Sequence, residues 1–234
     1  MAGRMMQYGA ALLLVQLVVG CSDGKAPENI VAGANNAAAP VNEATPAADT
    51  KLVVAYGDSL FAGYGLESGE GFAPVLEKAL IARGVKARVM NGAVSGETTG
   101  DGRERLAFTL DGLPRKPNLV ILGLGGNDML RGLDPKATRA NLDAILAELK
   151  RRDIATMMTG MLASPNMGPD YASAFNSIYP DLAKAYGVKL YPFFLDGVIG
   201  HADLQLPDGI HPNAKGIDIV VAKVAPVVVG ELDD

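Results

Sequence analysis

From Lys51 onward the sequence alternates short apolar runs with longer amphipathic stretches, and this alternation limits the folds available to the chain. The run Leu119–Leu124 is almost continuously apolar, as expected of a strand that is buried on both faces. The stretch Phe72–Arg83 instead repeats its apolar residues at helical spacing, and Gly84 after it is a typical helix C-cap residue. Such alternation predicts a parallel sheet with helices on both faces.

The remaining strands and helices follow from the same patterns. Further strands are predicted at Leu52–Tyr56, Ala87–Met90, Ile154–Thr159 and Val188–Tyr191. Further helices are predicted after Asp134-Pro135, over Tyr171–Tyr186 with a bend or break at Pro180, and over Lys215–Val229. At 234 residues and 49% hydrophobic composition, the chain suits one such domain with extra sequence at one end.

The N-terminus is predicted to be an export signal rather than part of the domain. Arg4 supplies a positive charge, and residues 10–20 are apolar apart from Gln16, which is too short a stretch to span a bilayer as a helix. Residues 18–21 end at Cys21 and resemble the bacterial lipobox, whose cysteine is diacylated and becomes the first mature residue. An ordinary cleaved signal with a cysteine nearby is the alternative.

We therefore expect three parts: a lipoprotein signal peptide at residues 1–20, a lipidated Cys21 with a disordered tether at residues 21–50, and a folded domain at residues 51–234. The tether is rich in Ala, Asn, Pro and Glu and contains no aromatic residue. Ser22 follows the cysteine, and by the usual Gram-negative sorting rule this predicts a periplasm-facing lipoprotein of the outer membrane. A soluble periplasmic protein is the alternative.

Composition excludes several classes of function. The net charge of −5 leaves no basic surface for nucleic acid. Two histidines and one cysteine are too few for a Cys/His zinc site, and a lone cysteine excludes an internal disulfide. No phosphate-cradling Gly-x-x-x-x-Gly-Lys loop is present, which disfavours a flavodoxin-type nucleotide-binding protein.

Three segments with chemically useful side chains follow predicted strands directly. They are residues 57–59 (Gly-Asp-Ser), residues 91–99 and residues 125–127 (Gly-Gly-Asn). Because open parallel sheets bind ligands beyond the carboxyl ends of their strands, these segments should converge on one edge of the sheet.

Ser59 is the predicted nucleophile at that edge. A serine at a strand-to-helix turn lies near unpaired backbone N–H groups and the positive end of a helix dipole, but it needs a base. His211 lies in a polar loop, and Asp208 precedes it by three residues, close enough to hold the imidazole tautomer that accepts a proton. The simpler alternatives are a helix-capping serine and a surface histidine; His201 is interpreted as a surface residue.

Two further segments offer hydrogen-bond donors. Asn127 follows two glycines, which let the backbone turn sharply, and its amide can donate to an oxyanion. Gly96 offers a backbone N–H just before a helix that starts at residue 98 or 99. Ser95 is a weaker candidate nucleophile because no strand precedes it directly, and Asp128 is predicted to cap the next turn.

These segments, in this order, resemble the SGNH/GDSL hydrolase family. The matching blocks are Gly57-Asp58-Ser59-Leu60, Gly96, Gly126-x-Asp128 around Asn127, and Asp208-x-x-His211. The resemblance spans about residues 51–229, and residues 171–194 and 209–213 resemble the bacterial periplasmic thioesterase/lysophospholipase/arylesterase subgroup. The family implies a flavodoxin-like three-layer α/β/α sandwich with a central parallel sheet.

The resemblance also implies roles for individual residues. Ser59 would be the nucleophile, His211 the base and Asp208 its orienting acid. The oxyanion hole would comprise the backbone N–H groups of Ser59 and Gly96 and the side chain of Asn127. No cofactor and no metal are implied.

The implied function is hydrolysis of a small acyl ester or thioester, as by an arylesterase, acyl thioesterase or lysophospholipase. Met129, Leu130 and Arg131 resemble the mobile substrate loop of the subgroup, and residues 162–167 could form another wall of the acyl pocket. The alternatives are a carbohydrate O-acetylesterase of the cell envelope and a non-catalytic envelope binding protein on the same fold. The lipobox departs from the subgroup, where a simple cleaved signal is usual.

Overall fold

The computed structural model describes residues 47–233, which contain a five-stranded parallel sheet. The strands are β1 (Lys51–Gly57), β2 (Ala87–Asn91), β3 (Leu119–Gly123), β4 (Thr156–Thr159) and β5 (Lys189–Tyr191). Their order in the sheet is β2-β1-β3-β4-β5, so the two strands that precede the glycine-rich segments lie side by side. The predicted signal peptide, Cys21 and most of the predicted tether lie outside the described residues.

Eight α-helices of this part of the chain cover the two faces of the sheet. They are α1 (Ser59–Ala62), α2 (Phe72–Ala82), α3 (Thr99–Asp111), α4 (Gly126–Leu130), α5 (Pro135–Arg151), α6 (Pro169–Asn176), α7 (Ile178–Tyr186) and α8 (Ala214–Asp233). One apolar core joins the sheet to α2 and α8, and a second joins it to α3, α5 and α7. The predicted three-layer α/β/α sandwich is confirmed.

Strand β1 shows why this sheet needs helices on both sides. Val53 and Ala55 point into the core beneath α2 and α8, whereas Val54 and Tyr56 point into the other core. All four are fully buried. Because successive side chains of a strand face opposite sides, an apolar strand of this kind is stable only between two layers.

Several element boundaries differ from the sequence-based predictions. The predicted helix over Tyr171–Tyr186 is two helices separated at Ser177, and Pro180 lies in the first turn of α7, where no backbone N–H is needed. Strand β4 starts at Thr156 rather than Ile154, and it follows a turn in which Asp153 has φ 54°. Helix α8 continues to Asp233. No helix among the described residues is both long and apolar enough to cross a membrane.

The described residues before Lys51 also form local structure. Residues 47–50, at the end of the predicted tether, form a turn closed by the Thr50 N–H, which donates to the Ala47 carbonyl over 2.9 Å. The Asp49 carboxylate contacts the Lys86 ammonium at 2.5 Å.

Candidate active site

The three polar segments meet at the carboxyl edge of the sheet. Gly57 and Gly123, the last residues of β1 and β3, are register partners. The Val94 N–H donates to the Gly57 carbonyl over 3.1 Å, which places the segment after β2 beside the end of β1. The predicted convergence is therefore present.

The glycines at these two strand ends make room for the helix that carries Ser59. A Cβ atom on Gly57 would lie 2.5 Å from the Gly123 carbonyl oxygen, and one on Gly123 would lie 2.4 Å from the Phe61 ring. Phe61 belongs to α1 and is 1% exposed. Its ring packs directly over the strand ends, and this packing fixes Ser59 at the edge of the sheet.

Asp58 caps the short helix α1 and is itself buried, at 2% exposure. Its carboxylate accepts a hydrogen bond from the Leu60 N–H over 3.1 Å and a longer one from the Asn127 amide over 3.4 Å. Burial raises the pKa of Asp58 to about 7, against the lowering effect of these two donors, and the nearby charge of Asp128 adds to the increase.

Ser59, His211 and Asp208 form a continuous hydrogen-bonded series. The Ser59 Oγ lies 2.8 Å from His211 Nε2, and His211 Nδ1 lies 2.7 Å from an Asp208 carboxylate oxygen. The other oxygen of Asp208 accepts from the N–H groups of Ile210 and His211, over 2.9 and 3.0 Å. Partial burial acts to raise the pKa of Asp208, but these backbone donors and the imidazole outweigh it and lower the pKa.

The loop that carries the histidine is held by hydrogen bonds rather than by regular secondary structure. The His211 carbonyl accepts from the Leu206 N–H over 2.8 Å. Within the loop, the nearly buried Gln205 side chain accepts from the Gly200 N–H over 3.1 Å and donates to the Gly209 carbonyl over 2.7 Å. Gln205 therefore ties both ends of the loop together.

Asn127 lines the same cavity as Ser59 and His211. Its position depends on Gly125, which has φ +116° and whose Cβ would lie 2.2 Å from the Tyr179 hydroxyl. That hydroxyl donates to the Leu124 carbonyl over 3.0 Å and holds the turn from behind. A side chain at residue 125 would displace the turn that presents the Asn127 amide.

Asp128 is predicted from the sequence to cap the turn that follows it, and this prediction is wrong. Its carboxylate accepts from the Thr99 N–H over 2.8 Å, and from the hydroxyls of Thr99 and Thr138. Asn141 in turn donates to the Thr99 hydroxyl oxygen over 3.2 Å. Asp128 is 1% exposed, so this network fixes the start of α3 against the Asn127 turn from within the core.

Gly96 precedes α3 and has φ +84°. Its carbonyl accepts from the Arg131 guanidinium over 2.6 Å, which links the segment after α4 to the segment after β2. Within residues 47–233, neither the Gly96 N–H nor the Ser59 N–H has a protein acceptor. Both amides are therefore available to a ligand.

An apolar cavity of about 440 Å³ opens beside Ser59. Its walls include Met129, Leu130 and residues 162–165, as the sequence suggested, whereas Arg131 and Met167 do not line it. Met161, Phe193, Leu195, Ile199 and Ile210 complete the walls. The break between α6 and α7 supports one wall, because the Asn176 side chain accepts from the Ala163 N–H over 2.7 Å.

Sequence reasoning missed the residues that surround the reacting groups without carrying chemistry themselves. Gln205, Leu195 and Ile199 lie in stretches without a period or motif, and the subgroup resemblance of residues 171–194 gave Phe193 no role. His201 is exposed, as expected. Among the described residues, no group of three or more His, Cys, Asp or Glu side chains is arranged to hold a metal ion.

A known protein family and several relatives match most of this chain. The family model of GDSL-like lipases and acylhydrolases matches residues 55–219. An arylesterase of Vibrio mimicus is 38% identical over 185 residues, covering 79% of this chain and 91% of that protein. The thioesterase 1/protease 1/lysophospholipase L1 of Escherichia coli is 37% identical over 167 residues, covering 71% of this chain and 77% of that protein.

A solved structure supports the same assignment. The crystal structure of AlinE4, described as an SGNH-hydrolase family esterase, shares 46% identity with a TM-score of 0.68, covering 80% of this chain and 99% of that one. The chain therefore belongs to the GDSL-like lipase/acylhydrolase family, the SGNH hydrolases, and is a hydrolase of ester bonds.

Proposed function

We propose that the chain hydrolyses carboxylic esters and thioesters through an acyl-enzyme on Ser59. The observation that carries this proposal is the hydrogen-bonded series from the Ser59 hydroxyl through His211 to Asp208, at 2.8 and 2.7 Å. A serine hydroxyl is a weak nucleophile, and an adjacent imidazole held in one tautomer by a carboxylate activates it.

In the first step the Ser59 Oγ attacks the substrate carbonyl while its proton passes to His211 Nε2. The bond to the leaving group then breaks, and the same proton passes to the leaving oxygen or sulfur. In the second step His211 takes a proton from water, the hydroxide attacks the acyl-enzyme, and Oγ recovers a proton as the acid departs. Asp208 keeps its charge throughout and stabilises the imidazolium.

The oxyanion that forms in both steps needs hydrogen-bond donors near the Ser59 hydroxyl. We assign these to the two unpartnered backbone N–H groups, of Ser59 and Gly96, and to the Asn127 side-chain amide. Removing one donor of this kind costs about 10²–10³ in kcat. The Asn127→Ala variant should fall in this range, and a loss below tenfold would remove Asn127 from the oxyanion hole.

The cavity beside Ser59 is the proposed acyl site, with Met129, Leu130 and Phe193 among its walls. Burial of a methylene group stabilises a complex by about 0.8 kcal/mol, so kcat/KM should rise about fourfold per carbon until the cavity is full. Short and medium acyl chains are the proposed substrates. The activities named for two relatives, arylesterase and thioesterase, are both compatible with this site.

The decisive experiment is reaction with a fluorophosphonate, followed by turnover on esters and thioesters varied in acyl length and leaving group. The wild-type chain should be labelled on Ser59 and should hydrolyse short and medium acyl substrates, whereas Ser59→Ala should do neither. Wild-type turnover by Ser59→Ala would overturn the mechanism. An acetyl-only preference would point instead to an O-acetylesterase.

We also propose that the chain is exported and anchored to a membrane through a diacylated Cys21, facing the periplasm and most simply at the outer membrane. The apolar segment before this single cysteine and the small residue next to it support the proposal. Cells fed an alkyne-bearing fatty acid should label the protein, and Cys21→Ser should abolish labelling. Label retained by Cys21→Ser would contradict the anchor.

A further inference from the structure

Tyr64 covers one face of the His211 ring. The two ring centroids lie 4.6 Å apart and the planes are tilted by 36°. The two nitrogens of the imidazole are already engaged by Ser59 and Asp208, so its faces are the parts left for other contacts. Tyr64 itself is 52% exposed, although it touches the centre of the site.

The backbone around Tyr64 is held from both sides. The Tyr64 N–H donates to the Ser59 carbonyl over 3.2 Å. The next residue, Gly65, has φ +71°, and its Cβ would lie 2.7 Å from the Leu206 side chain of the histidine loop. A half-exposed aromatic ring on such a fixed backbone presents a ready contact surface, since its own ordering cost has already been met.

The position of Tyr64 relative to the cavity indicates which part of the substrate this ring can contact. Tyr64 does not line the apolar cavity, whereas Ser59 and His211 do. If the acyl chain occupies the cavity, the leaving group extends from Ser59 past His211 towards solvent. The leaving atom must come within reach of the proton on His211 Nε2, so the leaving group lies beside the imidazole that Tyr64 contacts.

We propose that Tyr64 is a specificity-determining residue that forms the wall of a leaving-group subsite for flat aromatic alcohols and thiols. This inference rests on the proposed function, since it assumes Ser59 as nucleophile and His211 as acid. An aromatic leaving group packs against the Tyr64 ring in the offset or tilted geometry that aromatic pairs prefer. An alkyl leaving group of equal acidity gains less from the same ring.

The chemistry limits this contact to the first half of the reaction. During acylation the bond from Ser59 Oγ to the carbonyl carbon forms, the bond from that carbon to the leaving oxygen breaks, and the proton on His211 passes to that oxygen. The alcohol then departs, and water takes its place for deacylation. A residue that only contacts the leaving group therefore affects acylation, whereas a residue that orients His211 affects both steps.

The test compares two acetates with leaving groups of similar acidity, phenyl acetate and hexafluoroisopropyl acetate. Tyr64→Leu should lower kcat/KM for phenyl acetate about 3- to 10-fold and leave kcat/KM for hexafluoroisopropyl acetate unchanged. Tyr64→Phe should retain the wild-type preference because the ring remains. The deacylation rate, taken from the steady state after a p-nitrophenyl acetate burst, should be unchanged in both variants.

Phe108→Leu is the matched control, because Phe108 is 82% exposed on α3, outside both the cavity and the ring contacts of the site. Equal losses on both acetates with slower deacylation would mean that Tyr64 only positions His211, and this would overturn the subsite. Unchanged kinetics on both acetates would also overturn it. Fluorophosphonate labelling of Ser59 tests the proposed function separately. If Tyr64→Leu is labelled as fast as the wild type and keeps its preference for phenyl acetate, the esterase mechanism stands and only the subsite is wrong.

Discussion

The two halves of the active site are built in different ways. Ser59 and Asn127 follow buried strands and are flanked by Asp58 and Asp128, which are 2% and 1% exposed. His211 lies instead on a loop, and the side chain of its partner Asp208 is 35% exposed. The nucleophile is therefore positioned by the core, and the base by short-range hydrogen bonds. Substitutions on the nucleophile side should destabilise the protein, whereas substitutions on the base side should mainly reduce its activity.

Asp208→Ala tests the base side and has the largest expected effect. Loss of the carboxylate leaves His211 without its orienting partner, which in serine hydrolases costs about 10⁴ in kcat, or about 5–6 kcal/mol in the barrier. The unfolding midpoint in urea should change little, because the side chain is partly in solvent. A large loss of stability with this variant would break the comparison.

Asp58→Asn tests the nucleophile side through the pH dependence of stability. The folded pKa of Asp58 is about 7 and the ordinary value is 3.8, so between these values the native state keeps the proton that the unfolded chain releases. Native stability is therefore lost as pH rises from about 4 to 7, by up to about 4 kcal/mol. Asparagine cannot ionise, so the Asp58→Asn variant should not show this loss. The difference in unfolding free energy, variant minus wild type, should therefore increase by up to about 4 kcal/mol between pH 4 and pH 7.

The matched control for this measurement is Asp134→Asn, at the exposed cap of α5. In this variant the free energy of unfolding should change with pH between pH 4 and pH 7 as it does in the wild type. A parallel pH profile for Asp58→Asn and wild type would mean that the Asp58 carboxylate is solvated in the folded protein, contrary to its burial.

Asp128→Ala should destabilise the protein by about 3 kcal/mol. The substitution leaves the buried Thr99 N–H without an acceptor and removes the shared partner of the Thr99 and Thr138 hydroxyls, and each unsatisfied buried group costs about 1–3 kcal/mol. Asp128→Asn keeps one acceptor oxygen and should lose less. Urea unfolding of both variants measures the difference, and equal losses would show that the acceptors are not what stabilises the turn.

The same contrast explains how far sequence alone could predict this molecule. Buried strands have a strong apolar pattern, and polar residues that follow them directly are conspicuous, so Ser59 and Asn127 could be placed at one edge of the sheet. The contact between Tyr64 and His211 joins residues 147 positions apart in two loops, and no local pattern encodes it. Asp128 was misassigned for a related reason: its partners, Thr99 and Thr138, are set by the packing of α3 and α5.

Gln205→Ala has the smallest expected effect, and it measures how firmly the histidine loop is held. The variant loses the hydrogen bonds to the Gly200 N–H and the Gly209 carbonyl. Because water replaces them, the free energy of unfolding should fall by only about 1 kcal/mol. Because the loop would then sample positions in which His211 Nε2 is out of reach of Ser59, kcat should fall several-fold with KM unchanged, and amide exchange should rise at residues 206–211.

Tyr186→Phe is the control for Gln205→Ala. Tyr186 lies at the end of α7, just before β5 and at the opposite edge of the sheet, and the substitution removes its hydrogen bond to the Asp143 side chain. It should reduce stability by a similar amount and leave both kcat and loop exchange unchanged. If Gln205→Ala instead raised exchange in β1 and β3 as well as in the loop, the base side would be coupled to the core. The division between a packed nucleophile side and a hydrogen-bonded base side would then not hold.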